Sequence, residues 1–341
     1  TVLSSTSRPS TSSLSSTRAS RGMTCSYLVL LLLGVSLAAF LLLCASPLDP
    51  LQTNVGQVAL GSMSPEQIEK LKTYWGVGQP PLERFLCWAG DFVRGDMGIS
   101  LLYRRPVAEV MAERLFASLG IMSAAWGISG LLGLALGIAA GARKGSAVDR
   151  FVTSYSLVTA STPAFWLALV LLMVFSVWLR WFPVGFSVPV GVEASQVTVW
   201  DRLYHGILPV AALTLTGVSN VALHTREKMA QVMESDYVLF ARARGESLWS
   251  IIRRHGFRNI LMPAITIQFS SVSEILGGTI LVEQVFSYPG LGQAAVQAGL
   301  GGDVPLLMGI VVASGVIVCA GNLLANVLCG LVDPRIRREG R

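Results

Sequence analysis

The stretch Ser235–Pro263, SDYVLFARARGESLWSIIRRHGFRNILMP, decides how the rest of the chain is read. It carries Arg242, Arg244, Arg253, Arg254 and Arg258, follows closely on Arg226 and Lys228, and lies between two apolar spans. A connection between packed helices needs only a few residues, and this one is several times longer than that. Its pattern is that of two short helices broken at Gly245. Tyr237, Val238, Phe240, Ala241, Leu248 and Ile252 form an apolar stripe at i, i+3, i+4 spacing, interrupted at that glycine. Attraction to anionic headgroups on the inner leaflet explains the arginines. It does not explain the stripe, which reads better as a surface that docks something in the cytoplasm.

Outward from this stretch the chain is apolar. Of its 341 residues 52% are hydrophobic and 13% are charged, against about 25% charged in soluble domains. The excess must face lipid. The net charge of +6 sits in short segments beside apolar spans rather than on one soluble face, which argues against nucleic acid as a partner. Six spans are expected, near residues 25–45, 115–142, 151–179, 204–223, 260–286 and 304–331. Gly133 and Gly137 in the second form a GxxxG pair that lets helix backbones approach closely. Pro163 predicts a kink in the third. The chain then divides into a disordered Ser/Thr-rich tail (1–24), a first transmembrane helix (25–45), an extracytoplasmic loop region (46–112), a five-helix core (113–331) and a basic tail (332–341). Within the loop region, Ser64 predicts the cap of an amphipathic helix. Lysine and arginine set the orientation. Arg143, Lys144, Arg150, the 226–258 loop and the basic C-terminal tail fall on one side, against Arg180 and Arg202 in the short loops of the other. Both termini and the 226–258 loop are therefore expected inside.

No catalytic grouping is legible. The sequence has no GxSxG, no HExxH and no Gly-Lys dipeptide from which a Walker A loop could be built. The five cysteines form no CxxC pair, and His205, His224 and His255 are far apart, so no metal motif appears. Polar residues inside spans carry more information. A carboxylate within a bilayer helix is costly and usually faces a cavity, a partner or a substrate route. Glu274 sits near the middle of the fifth span, with Ser270, Ser271, Gly277 and Gly278 close by. On a continuous helix Ser270, Gly277 and Gly278 share its face. Glu274 either lines a pathway or hydrogen-bonds a neighbouring helix. Thr214, Thr216, Ser219 and Asn220 in the fourth span either line the same cavity or pair between helices. Glu283, nearer the outer interface, reads as structural.

Several motifs together resemble one family. Asp236-Tyr237-Val238, Ala241-Arg242-Ala243-Arg244-Gly245, Arg254-His255 and Arg258-Asn259 through Pro263 resemble the coupling loop of binding-protein-dependent ABC importer permeases. The form is that of the dipeptide, oligopeptide and nickel branch. Gly95-Asp96 with Gly98, Thr162-Pro163 with Phe165-Trp166-Leu167, and Gly277-Gly278 with Glu283 extend the likeness. So do Phe286 with Tyr288-Pro289-Gly290-Leu291-Gly292, and Asp333-Pro334-Arg335-Ile336-Arg337-Arg338. The Glu-Ala-Ala that names the loop reads Leu239-Phe240-Ala241 here, as is usual in this branch. The resemblance implies an all-α membrane protein of the type I importer permease fold, with six transmembrane helices and a cytoplasmic coupling-helix loop between the fourth and fifth. It implies that Tyr237, Val238, Ala241, Arg242, Ala243, Arg244, Gly245, Arg254 and His255 couple to an ATPase. The candidate pathway residues, on the polarity of the spans alone, are Glu274, Ser270, Ser271, Thr214 and Asn220. ATP and Mg²⁺ would bind to partner subunits, with no cofactor or metal in this chain. The implied partners are two ATP-binding subunits, a second related permease, an extracellular substrate-binding protein and the bilayer. Peptides are the expected cargo and nickel or a metal chelate the alternative; a secondary transporter or channel is more remote.

Overall fold

The computed structural model describes residues 30–45, 63–74, 80–189, 191 and 196–332. The expectations for residues 1–24 and 333–341, and for the opening of the loop region, lie outside these. The described elements are helical. In chain order they are α1 (Leu30–Ala45), α2 (Pro65–Tyr74), α3 (Pro81–Val93), α4 (Val107–Gly141), α5 (Ala147–Ala160), α6 (Ala164–Leu171), α7 (Val199–Met233), α8 (Asp236–Ala243), α9 (Leu248–Ile251), α10 (Phe257–Ser270), α11 (Val272–Val285), α12 (Leu291–Gly301) and α13 (Val304–Val332). Wider π turns at Leu172–Trp178 and Ile252–Gly256 continue α6 and join α9 to α10. By length and composition α4, α7 and α13 can each cross a bilayer. The pairs α5–α6 and α10–α11 can do so as bent spans, and α1 is a shorter apolar helix.

Helix α4 packs along α7, and glycine makes this possible. A Cβ on Gly133 would lie 2.7 Å from the Val221 Cβ, and one on Gly137 would lie 2.5 Å from the Thr225 Cβ. Two 35-residue helices thus touch backbone to side chain along a shared seam. The helix α7 runs to Met233, so Arg226–Met233 belong to a helix and not to the connection the sequence suggested. Likewise α4 starts at Val107, inside the stretch read as outer loop. There Glu109 and Glu113 dilute the hydropathy while pairing with exposed Arg105. Val107, Val110 and Met111 bury their side chains against α12 and α13.

Two breaks differ from the sequence reading. At Pro163 the chain turns by 104° between α5 and α6, far beyond a kink. Pro163 has no N–H to donate and disfavours helix at the residue before it, and Thr162 ends the preceding turn by donating its hydroxyl to the Val158 carbonyl at 2.7 Å. The second break, of 45°, falls at Ser271 between α10 and α11, where the sequence suggested one helix. The hydroxyls of Thr266, Ser270 and Ser271 donate back to carbonyls at Met262, Thr266 and Gln268, a pattern that bends helices. The predicted cap at Ser64 is present: Gln67 N donates to the Ser64 Oγ, and Ser64 N to the Gln67 Oε1.

Candidate functional site

The basic stretch folds as a helix, a glycine turn and a second helix. Ser235 precedes α8, and Val238 and Ala241 on its inner face are fully buried against Val232 and Ile251. Gly245 ends the helix. Its φ is +80°, its N–H donates to the Arg242 carbonyl, and the Glu246 N–H donates to that of Ala241. This is the paired closure that favours glycine in a left-handed position. Ser247 then caps α9 through the Ser250 N–H. Glu246 holds the turn by accepting from Arg244 Nη2 at 3.0 Å, and His255 Nε2 lies 3.9 Å away on its other oxygen. Tyr237 faces His255 at 5.8 Å between ring centres and accepts from Asn259 Nδ2, tying α8 to the foot of α10.

The stripe read from sequence divides here. Phe240 is 70% exposed and lies beside exposed Leu239, while Val238 and Ala241 point inward. Residues two apart on a helix differ by about 200°, so Val238 and Phe240 cannot share a face. The buried half fastens the element to α7, and the exposed half, with Arg242, Ala243 and Arg244 in contact with solvent, faces away from the bundle. Arg254 is also exposed, and His255 half-buried.

A pocket of about 420 Å³ lies between α5, α6, α7 and α11. Three of the five pathway candidates line it: Asn220 from α7, Ser271 at the break, and Glu274 from α11, with Gly277 and Gly278 beside it. Glu274 is exposed, with no hydrogen bond or ion pair among the described residues. The other two candidates lie elsewhere. Ser270 precedes the bend, so it does not share the Glu274 face, and its hydroxyl donates to the Thr266 carbonyl. Thr214 is buried in α7 away from the pocket, and its Oγ1 has no partner among the described residues. The sequence reading missed the opposite wall, Thr159, Ser161 and Thr162 at the α5–α6 corner. Thr162-Pro163 was the signal for it. Ser219 turns from the pocket to share a hydroxyl–hydroxyl contact with Thr159.

The model of the family described as the inner membrane component of binding-protein-dependent transport systems matches residues 133–338. That match takes in both the basic element and the pocket. The chain belongs to this family. The chain is 34% identical to the oligopeptide transport system permease protein AppB of Bacillus subtilis over 309 residues, covering 90% of this chain and 95% of that one. It is 31% identical to the di/tripeptide transport system permease protein DppB of Pseudomonas aeruginosa, with the same coverage. A putative peptide transport system permease protein of Brucella abortus is 34% identical over 89% of this chain and 94% of its own.

Two further clusters fix this permease fold around the pocket. Glu283 on α11 is fully buried. It accepts from Ser118 Oγ on α4, from Gly292 N at 2.7 Å and from Gln293 N at 3.1 Å, while Leu291 N donates to the same Ser118 hydroxyl. The first three amides of α12, which no helix can satisfy internally, are thus capped by two other helices. The glycines of the Tyr288–Gly292 motif have a steric reason, since a Cβ on Gly292 would lie 2.9 Å from the Glu283 Oε2. The structural role read for Glu283 agrees with this arrangement. At the foot of the bundle, Asp149 takes both Nε and Nη2 of Arg226 at 2.7 and 2.9 Å, joining α5 to α7. In the sequence this pair shows only as an acid within a short basic turn.

Proposed function

We propose that the chain is the transmembrane permease subunit of an ATP-driven importer of di- or oligopeptides, working by alternating access. The observation that carries this is the helix–glycine–helix element, fastened to α7 by Val238 and Ala241 and presenting Phe240, Leu239 and arginines outward, inside the family-matched region. The peptide permeases among the relatives support peptide as the cargo. Six spans are assigned to α1, α4, α5–α6, α7, α10–α11 and α13, with both termini and the α8–α9 element on the cytoplasmic side by the lysine and arginine distribution.

In this reading two partner ATPases bind ATP and Mg²⁺, and α8 seats in a groove of one of them. Closure of the ATPases moves the element, and the spans respond as a two-state body. Tyr237, His255 and Glu246 keep the element stiff, and Gly245 allows its turn. A second, related permease completes the pathway, and the 46–112 region meets an extracellular binding protein. Glu274, Ser271 and Asn220 line the route.

The test is ATPase activity of the purified assembly, with its binding protein loaded in turn with a dipeptide, a longer peptide and Ni²⁺. Stimulation by a peptide supports the reading. Stimulation by Ni²⁺ alone replaces the cargo with a metal, and absence of co-purifying ATPase with no response to any ligand defeats it.

A further inference from the structure

A second cavity, of about 940 Å³, opens on the flank of the bundle beside the coupling element. Its upper wall is the last two turns of α4, with Ala135, Ile138 and Ala139. Val148 closes one side, and Leu248, Ile252 and Phe257 close the other. Arg143, just past the end of α4, and Arg253 also line it, as does exposed Trp249. No aspartate or glutamate lines it. Of the neighbouring cations, Lys144 pairs with Glu234 at 2.6 Å, Arg226 with Asp149 and Arg244 with Glu246, while Arg150 and Arg254 do not line the cavity. The guanidinium groups of Arg143 and Arg253 have no carboxylate partner among the described residues.

We propose that this cavity binds one anionic phospholipid of the inner leaflet, its phosphate between Arg143 and Arg253 and its acyl chain against α4 and Phe257. The inference rests on the orientation and coupling role given above. Three observations select this occupant. The wall from Ala135 to Ala142 rises about 10 Å along α4, so the site is apolar above and cationic below, as a lipid is apolar above its phosphate. Arginine pairs with phosphate through a planar fork, and here two without a carboxylate partner line one cavity. The outward residues of the coupling element, Leu239 and Phe240, do not line the cavity, so a docked cytoplasmic partner would leave it free. Because Leu248, Trp249 and Arg253 belong to both the element and the site, a bound lipid would brace the element against α4 and tie coupling to membrane charge.

The test uses the whole purified assembly in discs of phosphatidylcholine, with or without phosphatidylglycerol. Retained lipids are counted by native mass spectrometry, and phosphatidylglycerol affinity is measured by titration. The Arg143→Gln/Arg253→Gln pair should lose one anionic lipid per copy and weaken affinity roughly tenfold. The lysine pair should retain most of it. Ala139→Trp, which fills the cavity and keeps both arginines, should also evict the lipid. Equal retention in the glutamine pair, equal retention of phosphatidylcholine, or displacement by inorganic phosphate would each overturn the proposal. If variant chains fail to assemble, the comparison of the two lipids on the unaltered assembly still decides it. Ligand-stimulated ATPase in phosphatidylcholine alone reports on the importer reading separately.

Discussion

Replacing Glu283 with alanine removes the group on which three helices converge. Two amides of α12, at Gly292 and Gln293, lose their acceptor, and Ser118 loses the group to which it donates. A buried donor left without a partner costs about 1–3 kcal/mol. Hydrogen bonds measured within bilayers fall toward the low end or below it, so the two amides together cost about 1–3 kcal/mol. For a chain of 341 residues that is a fall in melting temperature of about 1–4 °C. Glu283→Gln should cost far less. Its carbonyl can accept from both amides while its NH₂ faces the Ser118 oxygen, which can accept a second bond. Thermal unfolding of the solubilised assembly, followed by size-exclusion chromatography, measures both. The reasoning is refuted if the alanine variant melts with the unaltered protein, or if glutamine and alanine are equally damaging.

Gly245→Leu places a branched side chain at φ +80°, costing about 1–2 kcal/mol of local backbone energy; uptake and ATPase association should fall while the chain stays in the membrane. Normal uptake with normal ATPase activity would remove the coupling role from the α8–α9 element. Gly137→Val presses a branched carbon into Thr225 and the Ala222 carbonyl and should cost about 1–3 kcal/mol by overpacking, lowering melting temperature; an unchanged value would mean that the α4–α7 seam is looser than described. Glu274→Gln should leave stability unaltered, because the side chain makes no hydrogen bond or ion pair among the described residues, and should change the transport rate of cationic against anionic peptides; identical rates for both would take Glu274 out of the pathway. Pro163→Ala restores an amide at the α5–α6 corner and should reduce uptake with ATPase assembly intact, read by co-purification beside transport.

The short range of the physics decides what could be read in advance. The turn at Gly245, the cap at Ser64 and the glycine seam on α4 are set by local stereochemistry, and each is plain in the sequence. The break at Ser271 was not, because no proline or glycine marks it. Three hydroxyls donating to their own helix within six residues bend it instead. That miss carried Ser270 onto the wrong face. Thr214 was misplaced for another reason: polarity inside a span cannot say which side of the helix meets the cavity. The Asp149–Arg226 pair joins residues 77 apart, a contact that only the packed fold creates. The split of the stripe, with Val238 inward and Phe240 outward, was legible from helical angle alone.

The two breaks and the pocket are one feature. Ser161 to Pro163 at the first break and Ser271 at the second line the same pocket as Glu274, from opposite walls. A helix that is broken can hinge with little loss of packing, whereas a continuous one cannot. The helix α7 is continuous for 35 residues from the capping box at Thr198 to Met233, about 50 Å of rod, and the coupling element is fastened at its foot. The seam with α4 makes the rod stiffer still, and the Asp149–Arg226 pair ties α5 to it close to that foot. On the proposed coupling, movement delivered at the α8–α9 end would pass along the lower part of α7, which runs from Val210 to Met233 beyond its one internal proline, Pro209. It would then be taken up where the helices already change direction, by 104° at the α5–α6 corner and by 45° at the α10–α11 bend. Both flank the pocket, so on the proposed coupling a displacement of the element would act on the pocket through these two corners, while the Glu283 cluster anchors the end of α11 to α4 and α12.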